Sequence, residues 1–405
     1  MADTGQSRSL PIIAGLLVIS CAVIAAVAVE QYSPEEASSD DIPRFTVQGE
    51  TDLPGNIFLS FVYTKNIVML DGKGNVVWSK HEDLKDGVEA GYWDFKKHVI
   101  GDKVYYSYHD QDTQYDKFGL PGYAPGQRVI MDSDFNEVKR ISFEQSDIVD
   151  KGHPLDGHDF LLIDLDHYIM SGYIKDRVYN VPGYPDGSNV IYSYLQEVDH
   201  GNVVWDWRSV DYPELYSLTV TDATPTANDF ANKQVDAPDY VHFNAMRLND
   251  AGDLVCSFRH LNTILCLDRT KDTDQIKWKL SGNADEFGLS ADQRTSGQHY
   301  VTVDGDTINA FDNHNITQET RVVSYKVNMD TQELQEFHQY RIDGKFSAAC
   351  GSAQRISGNT FALGWGDAMN DAVCFCIYDF DQQKELMRVT LQFPKNFTYR
   401  CAYYE

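Results

Sequence analysis

The stretch DYVHFNAMRLNDAGDLVCSFRHLNTILCLD, Asp239 to Asp268, reads as three short strands and two turns. Apolar and β-branched residues fill the runs, and NDAG, Asn249 to Gly252, supplies the residue types that a tight hairpin connection needs. The chain then enters LDRTKDTDQIKW, Leu267 to Trp278, an acidic turn followed by a last strand with a large aromatic residue. That turn is a register mark. It returns as LDGKGNVVW (Leu70 to Trp78), MDSDFNEVKRI (Met131 to Ile141), VDHGNVVWDW (Val198 to Trp207), NMDTQELQEF (Asn328 to Phe337) and YDFDQQKELM (Tyr378 to Met387). Copies roughly 50 to 70 residues apart, each closing a four-stranded meander, predict an all-β, six-bladed β-propeller over residues 44–405.

The first repeat opens at its second strand, NIFLSFVY from Asn56, and lacks an inner one. The terminal FTYRCAYY, Phe397 to Tyr404, is therefore expected to supply the inner strand of the first blade, which removes two exposed sheet edges. Trp78, Trp205 and Trp278 fall on outer strands and are expected to pack between blades. The segments Asp110 to Gln127, Val178 to Asn189 and Asp211 to Ala237 read as loops at one end of the blades.

With 405 residues, 42% of them hydrophobic and 12% aromatic, the chain can bury a sizeable core. Its 34 basic against 61 acidic residues leave a formal charge of -27, which repels nucleic acid and opposes any anionic ligand that does not meet locally concentrated donors. Nucleic acid is not an expected partner. Residues 10–29 form an uncharged apolar run long enough to span a bilayer, with Arg8 before it and acidic residues after it. This predicts a cytoplasmic segment 1–9, a transmembrane signal-anchor helix 10–29, an acidic tether 30–43, and a membrane-anchored body outside the cytoplasm, in a periplasm or at the cell surface. A cleaved signal peptide, with Ala26 to Ala28 as its cleavage site, is the alternative and would give a secreted protein.

Of seven cysteines, Cys256, Cys266, Cys350, Cys374, Cys376 and Cys401 lie outside the apolar run, and none has metal-site spacing. No metal and no cofactor are expected. Disulfides in an oxidising compartment and buried free thiols in strands are both open readings.

The repeats also align the polar residues. WDFKKHVIGDKVYYSY from Trp93 matches HDFLLIDLDHYIMSGY from His158 without gaps, and His242 and His299 hold nearly the same place in the next two repeats. Each begins the innermost strand of its blade, so three of the twelve histidines are expected at one end of the channel. His242 and Asn244, two apart on one strand, are expected on one face, close to Arg259 at the end of the next strand.

These elements, GHDFLLID at His158, VHFNAMRLND with GDLVCSFRHLNTILCLDR around His242, Asn244 and Arg259, SGQHYVTV at His299, FDNHN from Phe311 and the terminal FTYRCAYY, resemble the arylsulfotransferase family in order and spacing. The resemblance covers most of the body. It implies a six-bladed propeller whose central histidine takes a sulfuryl group from a phenolic sulfate donor and passes it to a phenolic acceptor, with His299 as the nucleophile. A neutral imidazole suits that role. Arg259 offers a planar fork of donors to sulfate oxygens, and its charge disfavours protonation of a neighbouring histidine. His242 and His158 are acid/base candidates, and Asn244 and Arg400 are candidate donors to the bound anion. Asp312 and Asn313 either orient a site histidine or shape a turn.

Two other classes of function stay open on sequence. One is a catalytically silent propeller that binds an anionic ligand or a partner protein at the same channel mouth. The other is a quinone-cofactor dehydrogenase, for which neither tryptophan-docking repeats nor a calcium site is present.

Overall fold

In a computed structural model of the chain, the described residues are 42–85, 87–120, 122–220, 237–367, 372–392 and 398–405. The apolar run 10–29 and nearly all of the tether lie outside them. Among the described residues no helix is long and apolar enough to cross a membrane.

The chain enters through β1 (Phe45–Gly49) and then builds blades in order. Blade 1 takes β2 (Asn56–Phe61), β3 (Lys65–Leu70) and β4 (Val76–Glu82). Blade 2 takes β5 (Tyr92–Ile100), β6 (Lys103–Gln111), β7 (Gly126–Met131) and β8 (Glu137–Ile141). Blade 3 takes β9 (Phe160–Leu162), β10 (His167–Val178), β11 (Ser188–Asp199) and β12 (Asn202–Arg208). Blade 4 takes β13 (Phe243–Leu248), β14 (Leu254–Phe258), β15 (Thr263–Leu267) and β16 (Ile276–Leu280). Blade 5 takes β17 (His299–Asp304), β18 (Thr307–Asp312), β19 (Arg321–Asn328) and β20 (Glu333–Arg341). Blade 6 takes β21 (Ser352–Ser357), β22 (Thr360–Gly364), β23 (Val373–Asp379) and β24 (Lys384–Leu391), and β25 (Thr398–Tyr404) ends the chain. The described strands form six antiparallel sheets, so the six-bladed β-propeller expected from the repeats is the fold.

Both chain ends close the ring. β25 pairs with β2 as the inner strand of blade 1, with Ile57 opposite Tyr403 and Leu59 opposite Cys401. β1 was not anticipated as a strand of the last blade: it pairs with β24 as a fifth, outermost strand of blade 6.

The repeated acidic turn is the link between the third and fourth strand in every blade, and its side chain explains its recurrence. Asp71, Asp132, Asp268, Asn328 and Asp379 each accept the backbone N–H two residues on, through an Oδ1, at 2.9 to 3.0 Å. Blade 3 solves the same turn with two left-handed residues, His200 and Gly201. A β-bulge precedes the turn in all six sheets, between Met69 and Leu70 in blade 1 and between Cys266 and Leu267 in blade 4, for example. The extra residue strengthens local twist, which a propeller blade needs between its third and outer strands.

Apolar clusters fill the spaces between blades. Trp78 of blade 1 stacks on Phe135 of blade 2 at 4.2 Å, and Trp205 and Trp278 are buried, in line with their expected packing role. Each such aromatic contact adds about 0.5–1.5 kcal/mol beyond the area it buries.

Candidate active site

Six residues, one at or just before the innermost strand of each blade, meet at one end of the channel: Tyr399, Trp93, His158, His242, His299 and Cys350. Ring centroids lie 5.2 Å apart for Trp93 and Tyr399, 5.1 Å for His158 and Tyr399, 5.0 Å for His158 and His242, and 6.3 Å for His299 and Tyr399. Cys350 joins through its backbone N–H, which donates to His299 Nε2 at 3.2 Å. The three histidines placed together by the repeat register are thus neighbours in space.

Local backbone geometry turns these side chains inward. His242 has φ 51°, and bulges lie between Phe243 and Ala245, between His299 and Val301, and between Trp93 and Lys96. The expectation that His242 and Asn244 share a strand face is therefore corrected: His242 precedes β13 in the left-handed region, and the bulge breaks the simple alternation. Arg259 does come to the same place. It opens a 3-10 turn after β14, and its N–H donates to the His242 carbonyl at 2.8 Å.

Each histidine has a different partner behind it. His299 Nδ1 meets Asn313 Oδ1 at 2.7 Å, and the Asn313 amide nitrogen donates to the carbonyls of Ser347 and Cys350 at 2.8 and 3.0 Å. Those two bonds fix the Asn313 oxygen as an acceptor, so His299 carries its proton on Nδ1 and a lone pair on Nε2. Burial first, then the charge of Arg259, holds its pKa well below the ordinary histidine value. His242 Nδ1 instead meets Asp239 Oδ2 at 2.5 Å, and His158 Nδ1 meets Asp156 Oδ2. Burial lowers the His242 pKa, and the Asp239 carboxylate opposes that shift.

His260 stacks on His242 at 4.6 Å and gives its Nδ1–H to the Asp239 carbonyl at 2.7 Å. Asp239, His242 and His260 bring ligand-type atoms within 4.8 Å of one another, and both imidazoles hold Asp239 through Nδ1. Tyr173 closes the wall beside His158 and His242, at 5.7 and 5.6 Å. Over it, Tyr123 of the β6–β7 loop packs edge-on at 5.4 Å.

Asn244 and Arg400 sit one layer deeper. The Asn244 side-chain nitrogen donates to Gln298 O at 2.8 Å, and the Asn244 backbone carbonyl accepts from Arg400 Nη2 at 2.7 Å and from Tyr399 OH at 3.2 Å. Arg400 Nη1 reaches Asp94 Oδ1 at 3.0 Å and Asp159 Oδ2 at 3.5 Å. Lys96, Arg128 and Arg247 complete this knot, with Lys96 on both carboxylates, Arg128 on Asp94 and Arg247 on Asp159. Four cations surround two carboxylates in a largely buried cluster, which gives the channel a local positive excess in an acidic chain. Burial lowers the Lys96 pKa to about 8.

Sequence reasoning named the histidines, Arg259 and Asn313 as one of two readings, but missed Asp156, Asp239, His260, Tyr173 and Cys350. An acidic residue stands two before His158 and three before His242, a signal that the same repeat register would have exposed.

The partner of His299 yields a pH prediction. As things stand, the imidazole is neutral down through mildly acidic solution, so the acid limb of any His299-dependent rate should lie well below pH 6.5. Asn313→Asp places a negative charge beside Nδ1, favours the imidazolium and should move that limb to higher pH. A pH–rate profile unchanged in the Asn313→Asp protein would contradict this reading.

The family model described as Arylsulfotransferase (ASST) matches residues 113–370. No curated protein matches the chain. Among solved structures, a protein of unknown function from Bacteroides caccae aligns with 9% identity and a TM-score of 0.45, covering 86% of this chain and 98% of that one. Apo AztD from Citrobacter koseri aligns with 9% identity and a TM-score of 0.39, covering 86% and 98%. Virginiamycin B lyase from Staphylococcus aureus aligns with 9% identity and a TM-score of 0.35, covering 86% and 99%. Likenesses at this level carry no functional argument.

Proposed function

The chain belongs to the arylsulfotransferase family, and from that premise we propose that it moves a sulfuryl group from a phenolic sulfate ester to a phenol in two steps, through a sulfated His299. In the first step His299 Nε2 attacks sulfur, the bond from sulfur to the aryl oxygen breaks, and the phenol leaves. In the second the acceptor phenol attacks the same sulfur and the N–S bond breaks, returning neutral His299.

One observation carries the reading: the three histidines are differentiated by what stands behind them. A neutral amide on Nδ1 leaves His299 an unprotonated Nε2, as a nucleophile needs. A carboxylate on Nδ1 of each of the other two fixes the ring and leaves Nε2 as the nitrogen that exchanges a proton, so His242 and His158 are suited to pass a proton to the leaving phenolate oxygen and take one from the acceptor. The Cys350 N–H, now on His299 Nε2, would lose that acceptor once Nε2 bonds to sulfur and would be left to meet a sulfuryl oxygen. Arg259 supplies charge to the same oxygens. The buried cations beneath the ring answer the objection that an acidic chain repels an anionic donor.

The experiment is an initial-rate study with a chromogenic aryl sulfate and a phenol, both varied. A two-step route gives parallel double-reciprocal lines, and intersecting lines would reject the sulfated intermediate. Binding of aryl sulfate without any release of phenol would favour the silent propeller.

A further inference from the structure

The seam between blade 6 and blade 1 holds two thiols that the chemistry at the ring does not use. β25 meets blade 6 rung by rung: Tyr399 O accepts the Gly351 N–H at 2.9 Å, Cys401 O accepts the Ser352 hydroxyl at 2.5 Å, and the Tyr403 N–H donates to Gln354 Oε1 at 2.6 Å. Gly364 on β22 lets the strands approach, because a Cβ there would lie 2.8 Å from Cys401 N and 3.2 Å from Cys401 Cβ. In this close seam Cys401 Sγ lies 3.4 Å from the Cys374 carbonyl on β23, and Cys374 Sγ lies 3.6 Å from Val389 O. Both cysteines are free and buried, within one apolar cluster that includes Ile57, Leu59, Phe375 and Val389. A hydrogen bond with the Cys401 thiol, together with burial, raises the Cys374 pKa.

The other described cysteines have no such partner. Cys256 stands opposite Leu265 and Cys266 opposite Val255, so their side chains leave opposite faces of the sheet. Cys376 Sγ accepts the Trp365 indole N–H at 3.3 Å on its own blade.

We propose that Cys374 and Cys401 are a modification site, paired into a cystine across the seam when the chain folds in the presence of a disulfide oxidant such as oxidised glutathione. One cysteine thiolate attacks a glutathione sulfur and expels a glutathione thiolate. The second cysteine thiolate attacks the resulting mixed disulfide, which forms the Sγ–Sγ bond and expels the other glutathione. Two electrons pass from the cysteines to glutathione, and the two protons end on the two glutathione thiols. Since the thiolate is the attacking species and both sulfurs are buried in the closed ring, exchange takes place before or while β25 docks. The bond then fastens the strand that carries Tyr399 and Arg400 to blade 6.

The test is disulfide mapping of the full chain, refolded from the reduced state in a glutathione redox buffer, alkylated and digested without reduction. The expected product joins a fragment containing Cys374 to one containing Cys401, and disappears on reduction. The oxidised protein should melt about 5 °C above the reduced one, as for a bond closing a loop of this length. Reduced protein that is already folded should form the link on the order of a hundredfold more slowly than the refolding chain. Cys401→Ala should abolish the difference in melting temperature between the two buffers, and the wild-type map stands if that variant fails to fold. Alkylation of both Cys374 and Cys401 in the refolded oxidised protein would overturn the proposal, as would pairing of either with Cys350 or Cys376.

Discussion

Replacing His299 with Asn is expected to reduce transfer from an aryl sulfate to a phenol by roughly four orders of magnitude or more, the scale seen when a covalent nucleophile is removed. Asn has no lone pair able to take and return a sulfuryl group. It is smaller and polar, so Asn313 and the Cys350 N–H keep a group to face, and the fold should survive. Steady-state rates measured beside a thermal melt separate lost chemistry from lost structure. A variant that melts like wild type and keeps its rate would remove His299 from the mechanism.

The second large effect is expected at Arg259. Arg259→Lys keeps one positive charge but loses the planar fork, and should slow transfer by on the order of a hundredfold, or about 2.7 kcal/mol of transition-state stabilisation. Because the charge of Arg259 also helps hold the His299 pKa down, the Lys variant should preserve the position of the acid limb while losing rate at every pH. Arg259→Met should lose rate and also shift that limb upward. Equal rates in wild type and the Lys variant would show that Arg259 acts only as a charge near the ring, or not at all.

Much of this was legible in the sequence because propeller blades repeat. A turn that needs an Asp or Asn to take a backbone N–H leaves that residue at the same register in blade after blade, and the register then fixes which residues start the innermost strands. His158, His242 and His299 follow from that one alignment. Strand-level periodicity was less informative at the site itself. Alternation fails where His242 takes a left-handed conformation and a bulge follows, since there the backbone is bent to aim a side chain inward.

The groups behind the histidines were harder to see because they come from loops with no periodic signal. Asp156 and Asp239 precede the strands they serve, and Asn313 lies beyond the strand paired with the one that His299 opens. Asn244 and Arg400 show a different limit. Their residue types suit an anion, yet what they touch depends on depth along the channel: the Asn244 nitrogen is given to Gln298 O, and Arg400 is shared between Asp94, Asp159 and the Asn244 carbonyl. β1 escaped notice because five residues at an outer edge carry little pattern of their own.

The central claim is the sulfated histidine, and the measurement closest to it is a single exposure of the protein to excess aryl sulfate with no acceptor. The expected result is a burst of about one phenol per active site, a sulfuryl group that peptide mapping under mildly alkaline conditions places on His299, and discharge of that label when a phenol is added. Phenol release without a burst, or a stable label on any other residue, would contradict it.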